Sequence, residues 1–233
     1  MSDRETGIAN RFAKETANHT LEIVHDQGLY RHLRFRHQGP NYSAYYWFDL
    51  ITVPGSLIFR GDGESYVFAR MDDMFEFFRS SAYLGKPNLQ YWAEKVTSDD
   101  TRLQRYNDEL FRAAVMQYLV EHFEPEPVPP GLLKAVETDI FEDDYFNESK
   151  EDAYRLAAEF TYYENPEDRY DHQKRPDFEF HDVWELNATD YHWWFVWSCY
   201  AIVWGIAKYD AERPKPSVWR RSARLLLGRG ATR

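Results

Sequence analysis

A single cysteine in 233 residues, Cys199, excludes a disulfide framework and leaves no thiol pair for a metal. Also absent are a glycine-rich phosphate loop closed by lysine, a dinucleotide fingerprint, a nucleophile elbow and a His-Glu-x-x-His helix. No specific enzyme class is therefore indicated. No cofactor and no metal site is expected. The first twenty residues are polar and charged, without the apolar stretch of a secretory signal, so a reducing cytoplasm is the expected setting. Long apolar runs are missing too. The longest uncharged stretch, residues 191–207, has seventeen residues. At about 1.5 Å each they span roughly 25 Å, short of a hydrocarbon core of about 30 Å. No membrane association is expected.

What the chain has in abundance is aromatic surface. Phe, Trp and Tyr make up 18% of it, and four of the eight tryptophans fall within residues 191–207. At helical spacing Trp193, Trp197, Tyr200 and Trp204 form one stripe, with Phe195, Cys199, Ile202 and Ile206 on the opposite side. A helix that is apolar all round is buried. Residues 191–207 are thus expected to form a core helix, with Cys199 an inert part of it.

Charge is unevenly distributed. The net charge is -11, yet residues 20–70 carry five acidic and five basic groups. Residues 137–179 hold fifteen acidic against five basic, and residues 213–233 hold seven basic and no acidic ones. An acidic block of this density repels nucleic acid or mimics it towards a basic partner, while a solvated helical face is the plainer account. Within it Glu142, Asp143 and Asp144 are the candidate partner-binding residues. A protein partner is expected, and direct nucleic-acid binding is not.

The hydropathy pattern predicts an α+β fold, with a small antiparallel sheet of about five strands over residues 20–70 and a mostly helical half after it. Alternation over 30–37, a dense apolar and β-branched run over 45–53, and turn signals at Asp26 to Gly28, Pro54 with Gly55, and Gly61 to Gly63 give a meander. Residues 1–18 lack periodicity and are expected as a loose lead-in. Helices are predicted near 74–78 and 87–95. A long one runs from Ser98 to Phe123, where Ser-Asp-Asp gives a start signal, and two acidic ones cover 132–146 and 150–163. The proline-rich run 125–130 is the best boundary. It separates a first part, 19–124, from residues 131–227, which are expected to pack on it as one compact unit. A basic helix over 218–227 and a frayed tail over 228–233 complete the chain.

Asp49 is the most conspicuous single residue, because it interrupts a strand that is otherwise apolar or aromatic. A carboxylate taken out of water requires a partner. Arg60 and Arg70, at the ends of neighbouring strands, are the expected partners, in an ion pair that fixes strand register. With His192 they also form a weak candidate catalytic set, should the four converge on a pocket. His192 alone reads as a hydrogen-bonded core residue. The interleaved strand Arg31, His32, Leu33, Arg34, Phe35, Arg36, His37 has the pattern of single-strand nucleic-acid binders, but in an acidic chain a solvated edge strand is expected.

Two phrases carry a resemblance. One is Tyr46-Trp47-Phe48-Asp49-Leu50-Ile51-Thr52 with Pro54-Gly55, Gly61-Asp62 and the run from Tyr66 through Phe68-Ala69-Arg70 to Asp73-Met74-Phe75-Glu76-Phe77-Phe78. The other runs from Val196-Trp197-Ser198-Cys199-Tyr200 to Val203-Trp204-Gly205-Ile206, followed by Tyr209-Asp210. Both resemble an uncharacterised family of bacteriophage and prophage proteins. The resemblance implies a mobile-element origin and a bacterial host cytoplasm, and it transfers no catalytic role. The expectation is an accessory protein that binds a host or phage macromolecule, an inhibitor of host defence among them. A small enzyme or nucleotide-binding protein with a pocket on the aromatic sheet, and a virion or assembly component, are the alternatives.

Overall fold

The computed structural model describes residues 3–38, 44–98, 103–143 and 149–213. In chain order the elements are α1 (Asp3–Glu15), β1 (His19–Gln27), β2 (Tyr30–His37), β3 (Phe48–Val53), β4 (Ser56–Gly61), β5 (Tyr66–Ala69), α2 (Met74–Ser81) and α3 (Leu89–Ala93). They continue with β6 (Gln104–Tyr106), α4 (Asp108–Phe123), α5 (Pro130–Val136), α6 (Lys150–Glu159), β7 (Thr161–Tyr162), β8 (Phe178–Glu179), β9 (Thr189–Tyr191) and α7 (Trp193–Glu212). A five-stranded antiparallel sheet followed by a mostly helical half makes the fold α+β.

The chain divides into two units. A sheet unit combines residues 1–100 with 193–233, and a helical unit comprises 101–192. The boundary therefore lies on either side of the helical unit. The proline run 125–130 falls inside it, where α4 and α5 contribute to the same core. The apolar helix α7 belongs with the sheet, although the whole helical unit separates them in sequence.

In the sheet unit the strands lie in the order β1-β2-β3-β4-β5, every pair antiparallel. Tight turns explain this meander. Gln27 pairs with Tyr30 across Gly28, whose φ is +65°, and Val53 pairs with Ser56 across Pro54 and Gly55, whose φ is +83°. Proline followed by a left-handed glycine is the pattern of a type II turn. One face of the sheet is the core face, built from Leu33 and Phe35, Phe48 and Leu50, Leu57 and Phe59, and Tyr66 and Phe68, all buried. Across it lies α7. Its Trp204 ring is 5.4 Å from that of Phe35, Trp197 is 5.8 Å from Phe48, and Phe195 is 5.4 Å from Tyr66. Phe12 of α1 packs edge-on against Trp197 at 5.1 Å, and Phe75 of α2 meets Tyr209 at 5.5 Å. Sheet, α1 and α2 thus enclose α7, which is why its sequence is apolar all round. Among the described residues no helix is long and apolar enough to cross a membrane.

Three expectations need correction here. The interleaved strand over residues 31–37 is not an edge strand: as β2 it is paired on both sides, with β1 and β3. The segment 1–18 is not a loose lead-in: it carries α1, anchored by buried Ile8 and Phe12. The long helix starts later than Ser98, at Asp108, where the Asn107 side chain accepts the Leu110 N–H at 3.1 Å, and Gln104–Tyr106 pairs with β9 as a short strand. The basic helix expected over 218–227, and the tail, lie outside the described residues. In the helical unit α4, α5 and a π-helical turn (Glu137–Phe141) surround a core of Phe111, Val115, Leu119, Leu132 and Ile140, closed by Ala153 and Ala157 of α6.

Candidate functional site

Strand pleating sends alternate side chains to opposite faces. The face turned away from the core therefore carries His32, Arg34 and Arg36 of β2, Asp49 and Ile51 of β3, and Ile58 and Arg60 of β4, with Trp47 just ahead of β3 in the same alternation. Register places Arg34, Asp49 and Arg60 side by side across three strands. Asp49 has no exposed surface, because cations cover it. Nε2 of His32 lies 3.0 Å from Oδ2, Nε of Arg34 is 3.3 Å from Oδ1, and Nε of Arg60 is 3.7 Å from Oδ2. Arg34 also reaches Glu22 of β1 at 3.8 Å. Beside this cluster the guanidinium carbons of Arg36 and Arg60 each stand 5.3 Å from the centroid of the Trp47 ring.

This arrangement holds a carboxylate in place. It does not present one. Both oxygens of Asp49 are occupied by donors, so it is not poised to take a proton from a substrate, whereas a general base needs an open path to the proton it abstracts. The donors are oriented by the same contacts. Each arginine turns its Nε towards Asp49, leaving its two terminal nitrogens to point elsewhere.

Of the expected partners, the structure brings Arg60 to Asp49 and sends Arg70 elsewhere. Pairing of Ser56 with Ala69 puts Arg70 at the turn end of β4, the opposite end from Asp49. There Arg70 lines a hollow of about 690 Å³ with Met71, Phe77, Ser80 and Tyr91. His192 lies in the helical unit, where its backbone N–H donates to the carbonyl of Leu103 at 2.7 Å. Glu142 is exposed and Asp143 partly so, while Asp144 lies outside the described residues. Cys199 is fully buried in α7, and burial pushes its thiol well above the ordinary range.

Sequence reasoning missed His32 and Arg34 as partners of Asp49, and Trp47 with Arg36 as their neighbours. Arg60 could be counted from the two-residue turn, since the pair at 53 and 56 implies the pair at 49 and 60. The β2–β3 connection is too long for such counting. The only available signal for Arg34 was its place on the polar side of the alternating strand.

These features define the class of protein: an α+β chain with an antiparallel meander, one face closed by an aromatic helix and the other cationic. No family model matches the chain, and neither the curated proteins nor the solved structures contain a significantly similar one.

Proposed function

We propose that this chain is an accessory protein of a bacteriophage or prophage that acts in the host cytoplasm by binding a basic macromolecule, with an inhibited host defence protein as its target. The observation that carries this reading is the partition of charge between the two units. Residues 101–192 contain 23 acidic and nine basic groups, a balance of -14, while the remaining residues contain 16 acidic and 19 basic, a balance of +3. One sign of charge concentrated in one unit creates a field that steers an oppositely charged partner. The occupied state of Asp49 argues against the enzyme alternative, which required a carboxylate open to a pocket.

The test is an affinity pull-down from infected cells, followed by binding kinetics with the captured protein. Wild-type chain is compared with a Glu142→Lys, Asp143→Lys, Asp144→Lys variant. Steering predicts an on-rate that falls as salt shortens the Debye length below about 10 Å, and that falls again in the variant while thermal stability holds. An on-rate indifferent to both reduces the acidic block to a solvated surface and removes the proposal.

A further inference from the structure

The outer face of the sheet presents more positive charge than it neutralises. Arg34, Arg36 and Arg60 occupy three neighbouring positions, with the buried Asp49 between Arg34 and Arg60 and Glu22 of β1 in register with Arg34, so three arginines face two carboxylates. Glu22 is 58% exposed and only grazes Arg34 at 3.8 Å. Arg36 has no carboxylate partner among the described residues, and its Nε is buried with no hydrogen-bond partner there. A guanidinium in that position retains its full demand for an acceptor. Like charges held this close repel one another, so an anion entering the cluster gains both its own contacts and relief of that repulsion.

We propose that this face binds single-stranded nucleic acid, with backbone phosphates on the terminal nitrogens of Arg34, Arg36 and Arg60, and a base taking the place of one of the two guanidiniums that stand over Trp47. Three features select this ligand. Guanidinium forks match phosphate oxygens bidentately, and Asp49 orients Arg34 and Arg60 by their Nε atoms, leaving the fork end of Arg60 open and that of Arg34 shared only with the exposed Glu22 at 3.8 Å. Arg34 and Arg36, two apart on one strand, stand roughly 7 Å apart, and Arg34 and Arg60 roughly 10 Å apart across two strand spacings. That lattice suits the repeating charge of an extended strand rather than one compact anion. Trp47 supplies the aromatic surface that sequence-tolerant single-strand binders use, and the arginines on it keep cationic planes beside the same ring.

The expectation against nucleic acid rested on the acidity of the whole chain and on the neutral balance of residues 20–70. The excess of acid lies mainly in residues 101–192, while residues 1–100 with 193–213 hold 16 acidic and 13 basic groups, so the cationic character is local to this face. This proposal is independent of the acidic docking surface and fails separately from it.

The test is fluorescence anisotropy of the full chain with labelled oligo-dT and oligo-U of about 20 nucleotides, starting near 50 mM salt. Three phosphate contacts on a single strand predict a logarithmic salt slope of about -2, so a tenfold rise in salt weakens binding about 100-fold. Arg36→Glu is expected to weaken binding at least about tenfold, and Trp47→Leu by about 5- to 100-fold, the range for loss of one stacked base. Arg36→Gln, a smaller perturbation, must lower affinity in the same direction if either of the others unfolds. The Glu142, Asp143, Asp144 charge reversal must not abolish binding, which keeps this result apart from the pull-down. Whichever polymer binds tighter is the one the site takes. Absence of binding at low salt overturns the proposal. So do retention of affinity in Arg36→Glu, which would locate binding in the basic residues 213–233, a duplex bound as tightly as the single strand, and displacement by polyglutamate as effective as by unlabelled oligo-dT.

Discussion

Asp49 illustrates how a buried charge is tolerated at the scale of one residue. Removing a partner from a fully buried pair costs about 3–5 kcal/mol, because the stranded charge stays buried. Here Arg34 and Arg60 are 28% and 49% exposed and can turn to water. Asp49→Ala is accordingly expected to cost about 2 kcal/mol in urea unfolding, and Arg34→Met added to it should recover part of the loss. A cost above about 4 kcal/mol with no recovery would mean the cluster is drier than its exposure implies. His19 makes the complementary case. Burial pushes its imidazole below the ordinary value, with His37 acting the same way and a contact of 3.0 Å to the Tyr46 carbonyl opposing them. As pH falls through about 6.5 the unfolded chain takes up this proton first, so stability is lost on acidification and is fully present above that window. His19→Phe, which keeps a ring beside Phe48, should shrink the drop in unfolding free energy between about pH 7.5 and 5.5. An identical drop in both proteins would show that other histidines carry the acid sensitivity.

At the scale of elements, α7 sets the geometry of the sheet unit. Trp197 is fully buried among Phe12, Trp194 and Phe48, and its indole N–H donates to the Glu15 carboxylate at 2.8 Å. Trp197→Ala is expected to cost about 3–5 kcal/mol, through lost transfer energy and a cavity that surrounding rings cannot fill. Gly205 marks where helix and sheet come closest. A methyl group there would stand 2.8 Å from Leu50 Cδ1 and 3.0 Å from Phe35 Cζ. Alanine would gain about 1 kcal/mol of helix propensity, but overpacking a filled core costs about 1–3 kcal/mol. Both neighbours are fully buried and cannot swing away, so Gly205→Ala should be destabilising on balance, with a lower melting temperature. A rise would mean the helix shifts freely. Short hairpin turns made the meander legible in sequence, and all-round apolarity made α7 legible as core. Helix α1 escaped notice because only Ile8 and Phe12 mark its inner side, too few for a periodic signal. Apolarity also shows that a helix is buried without showing against what, so nothing in residues 193–212 pointed back to strands more than a hundred residues earlier.

At the scale of the whole molecule, the sheet unit is discontinuous in the chain. Residues 101–192 form a unit of their own, and the sheet gains the α7 cover over its core face only from residues that come after them. A chain ending at His192 should therefore leave Phe35, Phe48, Leu50 and Phe59 without that cover and partition into the insoluble fraction on expression. Recovery of that shortened chain as folded monomer would show that the sheet has another way to close. The same connectivity has a consequence for synthesis. The last strand of the five-stranded sheet ends at Ala69 and α7 begins at Trp193, so a ribosome adding roughly 5–20 residues per second leaves the uncovered sheet waiting on the order of 6 to 25 seconds for its lid. During that interval the nascent chain offers an aromatic surface to chaperones, and the helical unit, contiguous in sequence, is free to fold first.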